Sequence, residues 1–177
     1  MSLVGKKAPE FNNVPAVVGD GDFKQISLSD YKGKYLVLFF YPADFTFICP
    51  TEIQEFSRRY EEFKAANCEI LGFSTDSKHS HKAWIKNGLG KLNHPLVADF
   101  TKSITRDYDA LVEADGVAQR AMFIVDDKGM VQHASYNTDL LGRSVTETLR
   151  MVQALQTGER CPVEWKPGSK TLGKPGS

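Results

Sequence analysis

The chain has 177 residues, 41% of them hydrophobic, with 22 Lys plus Arg against 22 Asp plus Glu. That suits one globular domain with its own core, and a formal net charge of zero gives no electrostatic footprint for nucleic acid or an anionic membrane surface. No run of about 18 apolar residues is present to cross a bilayer, the opening Met1-Ser2-Leu3-Val4-Gly5-Lys6-Lys7 lacks a secretory core, and three cysteines in that setting point to a reducing, cytoplasmic compartment.

In chain order, residues 14–18 and 23–28 flank Gly19-Asp20-Gly21-Asp22 and predict a β-hairpin. Residues 35–41 form a near-continuous apolar run bounded by Gly33 and Pro42, as a buried central strand does. A loop leads to a helix predicted over 50–66, with Ile53, Phe56, Tyr60 and Phe63 on one face. An apolar strand over 69–74 precedes a helix carrying Ala83, Trp84 and Ile85. A short strand over 95–98 leads to a short helix around 104–111. Residues 121–125 and 131–136 flank Asp127-Lys128-Gly129 as a second hairpin. The last helix starts at Ser144, where Ser144-Val145-Thr146-Glu147 matches a capping box, and its apolar face is Val145, Leu149, Val152 and Leu155.

Strand–helix–strand, then a hairpin and a helix on the same sheet, predicts an α/β fold. The layout is thioredoxin-like: a mixed central sheet flanked by helices, with an N-terminal β-hairpin. Residues 1–157 are read as that domain, and 158–177, rich in Pro, Gly and Lys, as a C-terminal tail carrying Cys161. No internal repeat or second domain is evident.

The chemistry points to the loop Pro42-Ala43-Asp44-Phe45-Thr46-Phe47-Ile48-Cys49-Pro50-Thr51-Glu52. Pro50 fits the first helical position, which puts Cys49 at the N-cap, where unpaired N–H groups and the helix dipole favour thiolate over thiol. Thr46 sits where a Cys-x-x-Cys oxidoreductase has its second thiol. A hydroxyl there can donate to a thiolate or to a peroxide oxygen, which argues against dithiol exchange and for an oxygen substrate. Arg120 opens an apolar strand, so its charge lies at a strand end, and Glu52 is a favourable first-turn acid. Cys68 has no charged escort and reads as structural. His79 and His81 lack a third ligand and read as a solvated helix start rather than a metal site. No phosphate-cradling or dinucleotide glycine loop occurs, so a reducing cofactor belongs on another protein.

Pro42-x-x-x-Thr46-x-x-Cys49 resembles the signature of the peroxiredoxins, and the string from Phe45 to Glu52 resembles their typical two-cysteine branch, which includes bacterial alkyl hydroperoxide reductase C. The likeness runs from Gly5…Ala8-Pro9 to Gly158-x-x-Cys161-Pro162-x-x-Trp165. It implies a thiol-specific peroxidase acting on hydrogen peroxide and alkyl hydroperoxides, with no metal, haem or flavin in the chain. Cys49 would attack and become a sulfenic acid, and Cys161 of the other subunit would resolve it. The residues alone leave internal and intersubunit pairing open. By the same likeness Arg120 contacts thiolate and peroxide, Glu52 lies between Arg120 and Arg143, and Pro42 walls the pocket. Thioredoxin or a dedicated flavoprotein reductase would reduce the disulfide, and homodimers would assemble into a ring-shaped decamer.

Two alternatives stand beside this reading. One is a thiol–disulfide oxidoreductase without a peroxide step, against which Thr46 speaks. The other is a holdase chaperone or ring scaffold, as an additional role. Peroxide-sensitive relatives carry a Gly-Gly-Leu-Gly loop and a C-terminal helix ending in Tyr-Phe. Here the loop reads Asn87-Gly88-Leu89-Gly90 and residues 166–177 hold no aromatic side chain, so resistance to sulfinic inactivation is expected.

Overall fold

In the computed structural model, which describes residues 2–176, the opening hairpin forms from β1 (Val14–Gly19) and β2 (Asp22–Ile26). Gly19 and Gly21 turn it at φ 59° and 107°, a region side chains with a Cβ resist. The apolar run becomes β3 (Tyr35–Phe40), buried from its second residue on. The chain continues through α1 (Cys49–Arg58), α2 (Tyr60–Ala65), β4 (Cys68–Ser74), α3 (Lys78–Trp84) and a π-helical turn, Ile85–Leu89. β5 (Leu92–Ala98), α4 (Ser103–Asp107), β6 (Leu111–Val112), β7 (Val117–Ala118), β8 (Arg120–Val125), β9 (Val131–Asn137) and α5 (Val145–Gln156) follow.

The main sheet runs β2-β1-β5-β4-β3-β8-β9, with β3, β4 and β5 mutually parallel and the other pairs antiparallel. This is the mixed sheet the sequence predicts. Both faces are covered, which is why β3 reads as a continuous apolar run. Val37 and Phe39 pack under Ile53, Phe56, Trp84, Leu149 and Val152 on one side. Leu36, Leu38 and Phe40 pack with Phe11, Ile104 and Tyr108 on the other.

Several boundaries differ from the sequence reading, each for a local reason. The helix expected over 50–66 breaks at Arg59 (φ −97°, ψ 10°). The guanidinium of Arg59 donates there to Glu62 and to Thr146 on α5. The apolar spacing continues through the break, Phe63 resting on Phe56 at 5.9 Å between centroids, so periodicity does not register it. β5 begins at Leu92 because β1 gives it a partner, with Gly19 opposite Leu92. Pro95 falls where that register is irregular, a place a strand tolerates proline. α4 ends early because Asp109 takes φ 55°, and Leu111 passes into β6, which pairs with β7. The capping box of α5 is half made: Ser144 accepts from the Glu147 N–H, but the Glu147 carboxylate is turned to Arg150.

Residues 158–176 form no helix or strand, yet they are not loose. Trp165 is buried, its carbonyl accepts from Arg150, and the backbones of Arg160, Leu172 and Gly173 pair with one another.

Candidate active site

β3 leaves the sheet at Tyr41, and the loop beginning at Pro42 delivers Cys49 to the start of α1. Cys49 is the first helical residue, Ile48 the cap (φ −81°, ψ −38°), and Pro50 follows within the first turn. The expected N-cap position is therefore one residue off, because proline is tolerated throughout a first turn rather than at its first position alone. Ile48 O takes the N–H groups of Thr51 and Glu52 at 3.0 and 3.4 Å. The Cys49 sulfur still lies at the positive end of the helix, and the residue is 1% exposed.

Arg120 faces it. Met122 pairs with Phe39 across β8 and β3, so Arg120, two residues earlier, lies opposite the point where β3 departs. Its Nη1 and Nη2 are 3.6 and 3.7 Å from Cys49 Sγ. Among the described residues these are the hydrogen-bond donors to that sulfur. Glu52, three residues after Cys49 and on the same side of α1, accepts from Arg120 Nη1 at 2.8 Å. Its carboxylate also takes Arg143 Nη2 at 2.6 Å, Nε at 2.9 Å and the Arg143 backbone N–H at 2.7 Å. Arg143 Nη1 in turn donates to Phe40 O and Ala121 O, stitching the ends of β3 and β8. Gly142 permits this approach, since a Cβ there would sit 3.3 Å from Ile48 Cγ2.

The side chains of Glu52, Arg120 and Arg143 are 2–3% exposed. Burial alone would push the Glu52 carboxyl up. The hydrogen bonds and charge of Arg143, with the charge of Arg120, outweigh it and hold the carboxyl below its ordinary range. Burial would likewise lower Arg120, but Glu52 and Cys49 hold it raised, so the guanidinium stays charged. Two guanidiniums against one carboxylate leave a single positive charge in excess beside the Cys49 sulfur. Arg120 Nε is buried with no partner among the described residues.

The other expected site residues are placed as follows. Thr46 is exposed, and its hydroxyl donates to Ala43 O at 2.9 Å rather than to the sulfur. Pro42 is half-buried at the start of the loop. Cys161 is not beside Cys49: its sulfur lies 3.6 Å from Ala154 O and 3.5 Å from Thr157 Oγ1, at the C-terminal end of α5. Arg143 and Ser144 place the other end of that helix beside Glu52, so the 12 residues of α5, about 18 Å, separate the two environments. Cys161 instead shares a cleft with Gln132 and His133 of β9, an edge strand. Cys68 is buried in the core, and burial pushes its thiol well up, as suits a structural cysteine.

One expectation is corrected. His81 is not at a solvated helix start; it is fully buried, with Nδ1 2.8 Å from Asp44 Oδ2 and Nε2 3.2 Å from Val97 O. His79 is exposed and edges onto Phe23. The Asp44–His81 contact joins residues 37 apart, and no local pattern in the sequence announces it. Among the described residues no group of three or more His, Cys, Asp or Glu is disposed to hold a metal ion.

The AhpC/TSA family model matches residues 4–134. Peroxiredoxin-1 of Gekko japonicus is 53% identical over 180 aligned positions, covering 97% of this chain and 90% of that protein. Peroxiredoxin-2 of Bos taurus is 53% identical over 178, covering 96% and 88%. Among solved structures, the reduced 2-Cys peroxiredoxin of Plasmodium vivax superimposes with a TM-score of 0.91 at 42% identity, covering 97% of this chain and 93% of that one. AhpC of Enterococcus faecalis does so with 0.86 at 36%, covering 92% and 100%.

Proposed function

Because the chain belongs to the AhpC/TSA family and is a thiol-specific peroxidase of the peroxiredoxin kind, we propose that Cys49 is its peroxide-attacking nucleophile and Cys161 the thiol that resolves it. The observation that carries this reading is the pair of Arg120 nitrogens aimed at a buried sulfur, 3.6 and 3.7 Å away.

The Cys49 thiolate attacks one oxygen of ROOH. The O–O bond breaks, the leaving oxygen takes a proton and departs as ROH, and Cys49 becomes a sulfenic acid. Negative charge moves from sulfur to the leaving oxygen, and Arg120, with donors already at the sulfur, follows it. Fixed donors that track developing charge lower a barrier without reorganising. Glu52 and Arg143 hold that guanidinium in place through paired charge-assisted bonds. The Thr46 hydroxyl turns from Ala43 O to the bound peroxide, and Pro42 walls the pocket. Cys161 then condenses with the sulfenic acid, releasing water and forming the disulfide.

The length of α5 between the two thiols favours a Cys161 from a second chain. Beyond Val131, which pairs with Gly5 and Lys6, the outer edge of β9 beside Cys161 meets no further strand among the described residues, which supports a homodimer. Exposed Phe45 and Phe47 on the nucleophile's loop offer apolar surface for further assembly of dimers into a decamer. Hydrogen peroxide and alkyl hydroperoxides are the substrates, thioredoxin or a dedicated flavoprotein the reductant, and the cytoplasm the location. Peroxide consumption by the wild type and by Cys49→Ser, with each reductant system supplied, tests the reading. Turnover in the wild type and none in the variant is expected, and equal turnover in both would overturn it.

A further inference from the structure

Tyr41, Asp44, Ser80 and His81 form a polar cluster that the chemistry above does not use. Asp44 Oδ2 accepts from Ser80 Oγ at 2.7 Å and lies 2.8 Å from His81 Nδ1, while Asp44 Oδ1 accepts from Tyr41 at 2.9 Å. The other His81 nitrogen faces Val97 O. Both ring nitrogens thus meet oxygens of the protein interior, and the ring is held from two sides. The result is a buried hydrogen-bonded pair between the nucleophile's loop and α3, with side chains 0% and 1% exposed.

Two more contacts fasten Asp44 and the residue after it. The Asp44 N–H donates to Asp76 Oδ2 at 2.9 Å, and the Phe45 ring lies 5.6 Å from that of Trp84 on α3. Phe45 sits at φ 58°, a left-handed conformation that a bulky side chain adopts only when its surroundings impose it. Release of the loop relieves that strain, so fastening and strain oppose each other across a short segment five residues from Cys49.

We propose that the Asp44–His81 pair is a positioning device for the reaction: it fastens the Cys49 loop to α3, and its strength sets how often the loop opens to let Cys161 reach the oxidised sulfur. This rests on the roles given above to Cys49 and Cys161. Opening is required because Cys49 is buried, 1% exposed, and a thiol from outside the pocket must reach its sulfur. A sulfenic sulfur kept in the pocket stays beside Arg120, where a second ROOH converts it to sulfinic acid and ROH. A sulfenic sulfur released from the pocket condenses with the thiol instead. The pair therefore sets the partition between disulfide and sulfinic acid, holding His81 and Asp44 as positioning residues that touch neither substrate nor sulfur.

Ser80→Ala removes one donor to Asp44 and leaves the Asp44–His81 contact intact, and Ser80→Thr keeps the hydroxyl. Trp84, buried against Phe45, reports opening by its fluorescence. In stopped-flow single turnovers, Ser80→Ala should leave the peroxide-dependent phase within about twofold of wild type. It should speed the peroxide-independent disulfide phase by roughly tenfold, the scale of a hydrogen bond to a charged group. The sulfinic fraction by intact mass should fall accordingly, and Ser80→Thr should return both to wild type. Tyr41→Phe, which removes a second donor to Asp44, should act in the same direction should Ser80→Ala fold poorly. A disulfide phase unchanged in both variants would overturn the proposal while leaving Cys161 as resolver. A disulfide phase that persists in Cys161→Ser would overturn the underlying reading, and the proposal with it.

Discussion

Glu52 holds Arg120 against Cys49: its carboxylate accepts from Arg120 Nη1 at 2.8 Å while the same nitrogen lies 3.6 Å from the sulfur. One acid thus fixes the direction of a cation that faces the Cys49 sulfur. Arg120→Lys replaces a two-pronged donor by a point charge. Removal of a preorganised donor costs on the order of 100- to 1,000-fold in rate. Arg120→Ala should show that loss in the rate constant for peroxide by stopped flow, and Arg120→Lys should lie between it and wild type.

Glu52→Gln preserves shape but leaves two buried guanidiniums with one counter-charge fewer. Breaking a buried pair from one side costs about 3–5 kcal/mol, so calorimetry should show a clear loss of thermal stability alongside slower peroxide reaction. Wild-type stability with reduced rate would show that the arginines are held by their other bonds alone.

The same carboxylate gives a pH signature. Its folded value lies below the ordinary one near 4.5, so its stabilisation is fully present above about pH 4.5 and is lost as pH falls below that, through the lower folded value. Denaturant unfolding between pH 6 and pH 3 should show a steeper acid loss in the wild type than in Glu52→Gln. Parallel curves would contradict the linkage.

Thr46→Val separates two roles of one hydroxyl. The hydroxyl is exposed and donates to Ala43 O, so its loss should change stability by no more than about 1 kcal/mol. If it turns to the peroxide, the rate should fall by roughly tenfold or more, and Thr46→Ser should recover it. A stability change with no change in rate would confine Thr46 to the loop.

Intersubunit pairing predicts that peroxide-treated protein migrates as a disulfide-linked dimer under non-reducing conditions, and that Cys161→Ser does not. Full oxidation without a dimer band would indicate internal pairing and a much larger rearrangement around α5.

Where the sequence was legible, one strong local signal carried it. The apolar run at β3 and the two segments flanking Asp127-Lys128-Gly129 reported β3, β8 and β9, and the loop ending Thr46-Phe47-Ile48-Cys49 pointed to the candidate site. The break at Arg59 was invisible because the apolar spacing survives it. Cys49 as first helical residue rather than cap was beyond reach because Pro50 allows either. His81 was misread because its partner, Asp44, is 37 residues earlier, and only the return of α3 onto the β3–α1 loop brings them together. Arg120 and Arg143 were assigned by resemblance, since nothing local distinguishes them from surface arginines until Glu52 is seen between them.

The most direct test of Cys49 as nucleophile uses Cys161→Ser, in which the sulfenic acid has no resolving thiol. After one equivalent of peroxide and a sulfenic-specific trap, peptide mass mapping should place the adduct on Cys49 alone, with one equivalent of peroxide consumed. An adduct on Cys68, or none on Cys49 while peroxide is consumed, would contradict the account.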